Sequence, residues 1–250
     1  MEQADASPSG QPPEVAARIF GDRLELATAY VRFLETTGVQ HGLIGPREVP
    51  RLWDRHVLNC AVIAPAFGPD ATVADVGSGA GLPGMVLAIA RPDLRVTLVE
   101  PLERRTRWLS EVVHDLGLEV TVLQRKAENA WGEVVVDAVT SRAVAQLGEL
   151  ARLSLPLLRP NGRMVALKGE RAASELEADA EVLDRLRVAH RRVATYGEGV
   201  LDPPSTVVEL TLDGVAPQLR QPVGDGPART AARKKARRAE RRRARPGRGE

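Results

Sequence analysis

The sequence predicts an α/β protein, a mostly parallel, doubly wound sheet behind a helical N-terminal cap. Three observations carry this. Short β-prone runs alternate with helix-period segments through short links, the pattern of parallel crossovers. Val73-Ala-Asp75-Val-Gly77-Ser-Gly79-Ala-Gly81-Leu82-Pro83-Gly84 reads as strand, glycine turn and helix start. Residues 1–68 carry helical stripes ahead of that first strand.

In chain order, Met1 to Gln11 is polar. Pro12-Pro13-Glu14 opens a helical region, and Leu24, Ala27, Val31 and Leu34 form its apolar stripe, with Gly38 suited to its end. Val49 to Cys60 is again helical in pattern. After the glycine turn, Met85 to Ala90 continues a helix that Pro92 stops. Leu94 to Val99 is a strand ending in Glu100. Pro101 starts a helix whose Leu102, Leu109, Val112, Val113 and Leu116 face inward, and Gly117 ends it. Arg104, Arg105 and Arg107 project from its first turns as a solvated face or a substrate-facing cluster. Glu119 to Leu123 is a third strand, Arg125 to Ala130 a loop, and Val134 to Ser141 a fourth strand followed by Arg142. A helix from Ala145 runs towards Pro156, Arg159 to Gly162 is a turn, and Met164 to Leu167 is a fifth strand. A charged helix spans about Arg171 to Leu186, and residues 188–196 and 206–212 close the sheet as strands.

Composition bounds the function. The 250 residues suit one domain with appendages, divided here as a cap over 1–68, the sheet domain over 69–220, and a linker and tail over 221–250. One cysteine, Cys60, excludes an internal disulfide, and no two of the four histidines sit at zinc-ligand spacing, so no metal site is expected. No leader pattern and no bilayer-length apolar run stand in the sequence, which points to a cytoplasmic protein without a membrane partner. The net charge of +2 is unevenly spread: Arg229 to Glu250 holds 11 basic and two acidic residues. That tail, with Arg233, Lys234 and Lys235 at its first dense cluster, reads as an arm for a polyanion such as RNA, or as a solubilising segment.

Gly79-x-Gly81-x-x-Gly84 formally satisfies the dinucleotide fingerprint, a weak signal alone. Asp75 tilts the reading, because an acid at the strand end repels a pyrophosphate but welcomes a cation. Asp-x-Gly-x-Gly-x-Gly resembles motif I of the class I S-adenosylmethionine (SAM) methyltransferases, whose cofactor carries a sulfonium and an ammonium group. On this reading Asp75, Gly79 and Glu100 belong to the cofactor site, Glu100 at the place where such folds bind ribose hydroxyls.

Separated segments then converge. Arg55-His56-Val-Leu-Asn59, the Gly-Leu-Pro-Gly ending of the glycine turn, Ser141-Arg142-Ala143 and Ala166-Leu-Lys168-Gly169 together resemble the RsmG (GidB) family of small-subunit rRNA guanine-N7 methyltransferases. The resemblance covers roughly residues 15–215. It implies SAM as cofactor, 16S rRNA or the small ribosomal subunit as partner, and Gly77, Leu82, Ala127, Glu128 and Arg142 as cofactor contacts. Each has a plainer use: Leu82 packing the helix start, Glu128 an exposed loop acid, Arg142 paired to a structural carboxylate. Arg55, His56 and Lys168 are candidate RNA contacts, although a histidine on an amphipathic helix is also a common packing residue and Lys168 can serve the helix beside it. No acid–base pair stands out, so no catalytic residue is assigned. A nicotinamide-dependent oxidoreductase and a non-catalytic ribosome-binding protein remain the alternatives, and the oligomeric state is open.

Overall fold

The glycine turn lies at the middle of a seven-stranded sheet. The computed structural model describes residues 11–142 and 145–214, all within one compact unit, Met1–Pro217. The linker and basic tail, with Arg233, Lys234 and Lys235, lie outside the described residues, as does Ala143.

The strands are β1 (Thr72–Val76), β2 (Arg95–Glu100), β3 (Val120–Gln124), β4 (Val136–Arg142), β5 (Leu158–Lys168), β6 (Val188–Tyr196) and β7 (Ser205–Leu212), in the order β3-β2-β1-β4-β5-β7-β6. β1 to β5 are parallel, and β7 runs antiparallel between β5 and β6. The expected closing pair is present. Side chains alternate across the sheet: Val73, Leu98 and Val165 join one core, Ala74, Val99 and Met164 the other.

The first core is shared with the helices ahead of the sheet, α1 (Glu14–Phe20), α2 (Leu24–Phe33) and α3 (Asn59–Ala61), and with α4 (Gly84–Ala90) and α5 (Glu103–Asp115). The second lies under α6 (Ala127–Ala130), α7 (Leu147–Ser154), α8 (Ala172–Ala178) and α9 (Ala180–Arg185).

Several local expectations change. The helix after α2 does not stop at Gly38 but passes through a wide turn, Leu34–Gly38, and continues to Gln40 before the left-handed Gly42. Gly38 is small for packing instead: a Cβ there would lie 3.2 Å from the Phe33 carbonyl and 3.6 Å from Trp108. Leu102 is half exposed rather than inward, because it precedes α5 in an extended conformation and does not share the helical face. Trp108 fills that face, its indole N–H donating to Thr37 Oγ1 at 2.8 Å. The stretch read as a loop over 125–130 contains α6. The turn at Arg159–Gly162 is a bulge inside β5, where Val136 pairs with Leu158 and Ala138 with Arg163, and Asn161 takes φ +62°. The single charged helix is two, with Asp179 between them accepting from the Gly148 N–H at 2.7 Å.

Candidate functional site

The strand order reverses between β1 and β4, and in open α/β sheets ligands bind outside the strand ends at such a point. A cavity of about 640 Å³ opens there. Gly77, Gly79, Leu82, Glu100, Ala127, Glu128 and Arg142 all line it, from four separate segments.

The four glycines of the turn divide their work. Gly77 (φ +71°) and Gly79 (φ +58°) face the cavity, and a Cβ on Gly79 would meet nothing nearer than the Gly77 carbonyl at 3.9 Å. Their left-handed backbone bends the chain and leaves the cavity wall bare. Gly81 and Gly84 are closed by packing. A Cβ on Gly81 would lie 2.4 Å from Met85 Cγ, and one on Gly84 2.4 Å from Leu98 Cδ2 and 2.8 Å from Asp75 Oδ2.

Asp75 is placed differently from the sequence reading. It alternates onto the α4 face of β1, is fully buried, and is not among the cavity lining. Its Oδ2 accepts the Gly84 N–H at 3.0 Å, and Oδ1 has no partner among the described residues. It anchors the helix that follows the turn. Burial raises its carboxyl to about 7. The native state therefore holds a proton that the unfolded chain releases near its ordinary value of 3.8. Stability from this group is present below that value and is lost as pH rises towards 7, a change on the order of 4 kcal/mol. Urea unfolding of Asp75→Asn should lack this decline, so wild type and variant diverge between about pH 4 and pH 7; parallel curves would contradict the assignment.

Glu100 is 1% exposed. Its Oε2 accepts the Gly79 N–H and its Oε1 the Leu102 N–H, each at 3.0 Å, with Arg105 Nη1 3.5 Å away. The carboxylate thereby fixes the turn and the start of α5 at once, and its remaining lone pairs can take ribose hydroxyls. Of the three arginines on α5, Arg105 lines the cavity, while Arg107 is exposed and pairs with Glu103 at 2.9 Å.

Arg142 is held by the cap. Its guanidinium donates from Nη1 to the Arg55 carbonyl at 3.2 Å and from Nη2 to His56 Nδ1 at 2.8 Å. An arginine has no acceptor, so His56 must present a bare Nδ1 and carry its proton on Nε2, which donates to Glu48 Oε2 at 2.9 Å. Burial and the Arg142 charge hold the imidazole below its ordinary range, keeping it neutral. His56 thus touches the site through Arg142, and the exposed Arg55 side chain lies 3.5 Å from Glu48. His56→Ala should weaken binding of S-adenosylhomocysteine (SAH) about five- to tenfold, roughly one hydrogen bond. His56→Asn, whose Oδ1 can replace Nδ1, should lose less. Wild-type affinity should fall as pH drops below the ordinary imidazole range, because protonation removes the acceptor. Titration calorimetry checks both, and equal affinities for wild type and alanine variant would contradict the role.

Lys168 is committed within the protein. Its Nζ donates to the Ala145 carbonyl and to Glu175 Oε2, each at 2.8 Å, and the side chain is 9% exposed.

The sequence reading missed four contributors. Tyr30 on α2 donates its hydroxyl to the Ala80 carbonyl at 2.6 Å, tying the cap to the glycine turn. Ser141 Oγ donates to the Val76 carbonyl at 2.8 Å, joining β4 to β1 below the cavity. Leu43 and Ile44, in the loop after α2, supply apolar wall. Tyr30 sits in the core-facing stripe, where nothing separates a packing phenol from one that orders a loop.

This sheet departs from the all-parallel 3-2-1-4-5-6 order of the dinucleotide domains, because β7 is reversed and inserted. Sheet, bare glycine wall and buried strand-end acid together define a class I SAM-dependent methyltransferase fold. Solved structures of like fold include a putative SAM-dependent methyltransferase from Methanococcus maripaludis, at TM-score 0.50 and 13% identity over 74% of this chain and 91% of that one. A methyltransferase from Geobacter sulfurreducens matches at TM-score 0.50 and 18% identity, over 74% and 88%.

The family follows from sequence. The family model described as rRNA small subunit methyltransferase G (GidB) matches residues 23–201. A protein of Paenarthrobacter aurescens named ribosomal RNA small subunit methyltransferase G is 55% identical over 201 residues, 80% of this chain and 93% of that one. One of the same name from Renibacterium salmoninarum is 56% identical over 197 residues, 78% and 92%. The chain belongs to the rRNA small subunit methyltransferase G family.

Proposed function

We propose that this protein transfers a methyl group from SAM to N7 of a guanosine in the 16S rRNA of the small ribosomal subunit, in the cytoplasm. The observation that carries the reading is the cavity at the β1/β4 switch point, with a wall free of side chains at Gly77 and Gly79 and with Glu100 and Arg142 among its lining, in a chain of this family.

The residues fit the cofactor. The bare wall admits a ligand against the backbone, Glu100 offers a buried carboxylate to ribose hydroxyls, and Ala127 and Glu128 lie at the start of α6 for the adenine. Leu82 and Ile44 add apolar surface. When bound, SAM supplies a methyl group on a cationic sulfur that a lone pair displaces in line. Guanine N7 already carries a free lone pair. No side chain need remove a proton before attack, so the chain's task is to align the partners and exclude water. Alignment alone is worth about 7–11 kcal/mol. N7 is hidden in the deep groove of paired RNA, so the target guanosine enters unpaired or extruded.

Calorimetric titration with SAH and NADH tests the cofactor. Saturable SAH binding without NADH binding supports the reading; the reverse favours an oxidoreductase. The basic tail is the proposed RNA arm. Deleting residues 229–250 should weaken affinity for small subunits and flatten its dependence on salt, since each phosphate neutralised adds about 0.7–0.9 to the slope of log K against log salt. Filter binding across a salt series reads both, and an unchanged slope would make the tail a bystander.

A further inference from the structure

A second cavity, of about 380 Å³, opens at the carboxyl ends of β4 and β5. Arg142 lines both it and the cofactor cavity, so the two adjoin. Its volume falls in the lower part of the ligand-pocket range of about 300–1,000 Å³, which suits one nucleoside.

The polar groups around it are fixed in advance. Asn59 donates from Nδ2 to Ser205 Oγ at 2.9 Å, and that hydroxyl donates back to the Asn59 carbonyl at 3.1 Å. This orients the amide and leaves Oδ1 without a partner among the described residues. Glu175 accepts through Oε2 from Lys168 Nζ at 2.8 Å and from the Leu147 N–H at 3.1 Å, while Oε1 makes no hydrogen bond among the described residues. The Lys168 hydrogen bond holds the carboxyl below its usual range, so it is ionised. Two oxygen acceptors, one of them charged, therefore stand in the lining with spare capacity, and Lys168 serves to place one of them.

Such a pair calls for a ligand edge that carries adjacent donors. Guanine presents N1–H and N2–H₂ side by side, with N7 on the opposite side of the purine. An edge bound to Asn59 and Glu175 leaves N7 unengaged and free to meet the methyl donor directly, where the two cavities adjoin beside Arg142. Adenine carries a bare N1 lone pair where guanine has its N–H, and that lone pair would face the carboxylate unpaired.

Resting on the methyl-transfer reading above, we propose that this second cavity is the target-nucleoside pocket, in which Asn59 and Glu175 read the N1–H and N2–H₂ edge of an unpaired guanosine and Lys168 acts as the positioning residue for Glu175. The pocket selects the base and turns N7 towards the cofactor with one set of contacts.

The test removes the N2 amino group of the base and, separately, the two side chains that could read it. Small subunits are reconstituted with rRNA carrying either guanosine or inosine, which lacks the N2 amino group, at the methylated position. Methylation is measured for wild type, Glu175→Gln and Asn59→Ala, with SAH affinity and unfolding midpoint recorded alongside. Glu175→Gln keeps an acceptor for the Leu147 N–H, so it serves if Asn59→Ala folds poorly. Wild type should prefer guanosine about tenfold or more in kcat/KM, and at least one folded variant, the one whose side chain takes N2–H₂, should reduce that preference to below about threefold with SAH affinity within about twofold of wild type. A preference as large in both variants as in wild type, or no preference in wild type, overturns the pocket assignment. If wild type methylates neither subunit while still binding SAH, the proposed reaction fails instead.

Discussion

Gly77→Asp lowers SAH affinity by at least about 100-fold, a loss of roughly 2.7 kcal/mol, while the protein stays folded. Gly77 sits at φ +71°, where an aspartate is tolerated better than most residues, and its N–H donates to the Val99 carbonyl at 2.8 Å. The backbone can therefore persist. The new side chain, however, enters the space proposed for the cofactor, since Gly77 faces the cavity. Steric exclusion acts on binding and not on the core. Calorimetry with SAH together with circular dichroism reads the two effects separately. Retained SAH affinity in a folded variant would remove Gly77 from the site.

Gly84→Ala has the opposite signature: it lowers stability first. The added methyl would lie 2.4 Å from Leu98 Cδ2 and 2.9 Å from Asp75 Cβ. It also crowds the N–H that satisfies the buried Asp75 carboxyl. Overpacking of this kind costs about 1–3 kcal/mol, and a strained bond to a buried carboxyl adds to it. A loss of about 3 kcal/mol corresponds to a fall in Tm of roughly 6–12 °C for a domain of this size. Urea unfolding and thermal melts check this, and a variant as stable as wild type would show that β1 and α4 are not wedged together as described. The contrast between the two glycines is the sharper result, because one sequence motif contains both.

That contrast also marks how far the sequence could be read. The alternation of strands and helices and the glycine turn were legible because each depends on local pattern, whereas Gly77, Leu82, Ala127, Glu128 and Arg142 were singled out by the family resemblance. Gly77, Leu82, Glu100, Ala127, Glu128 and Arg142 meet in one cavity. The direction in which Asp75 points was not legible from its charge alone. A strand acid beside glycines suggests a partner for a cation, yet alternation along β1 turns it to the α4 face. The period-2 pattern contains that information once the strand's two faces are known. Arg55-His56 was legible as a motif but not as a chain of contacts, since the Arg142–His56 bond spans 86 residues. Tyr30 and Ser141 act by hydrogen bonds to carbonyls of distant segments, which no local spacing encodes. Lys168 illustrates the converse: a lysine at a strand's carboxyl end reads as a phosphate contact until Glu175, seven residues on, is found to occupy it.

The central claim is that a cation-borne methyl group held at the β1/β4 crevice is passed to a guanine nitrogen of ribosomal RNA. The direct measurement is transfer of labelled methyl from SAM to small ribosomal subunits lacking the modification, followed by digestion of the 16S rRNA and identification of the labelled nucleoside. The account predicts label in one 7-methylguanosine, and none with Gly77→Asp. Label at another base or atom, or a folded, SAH-binding protein that transfers no methyl to rRNA in either naked or assembled form, would contradict it.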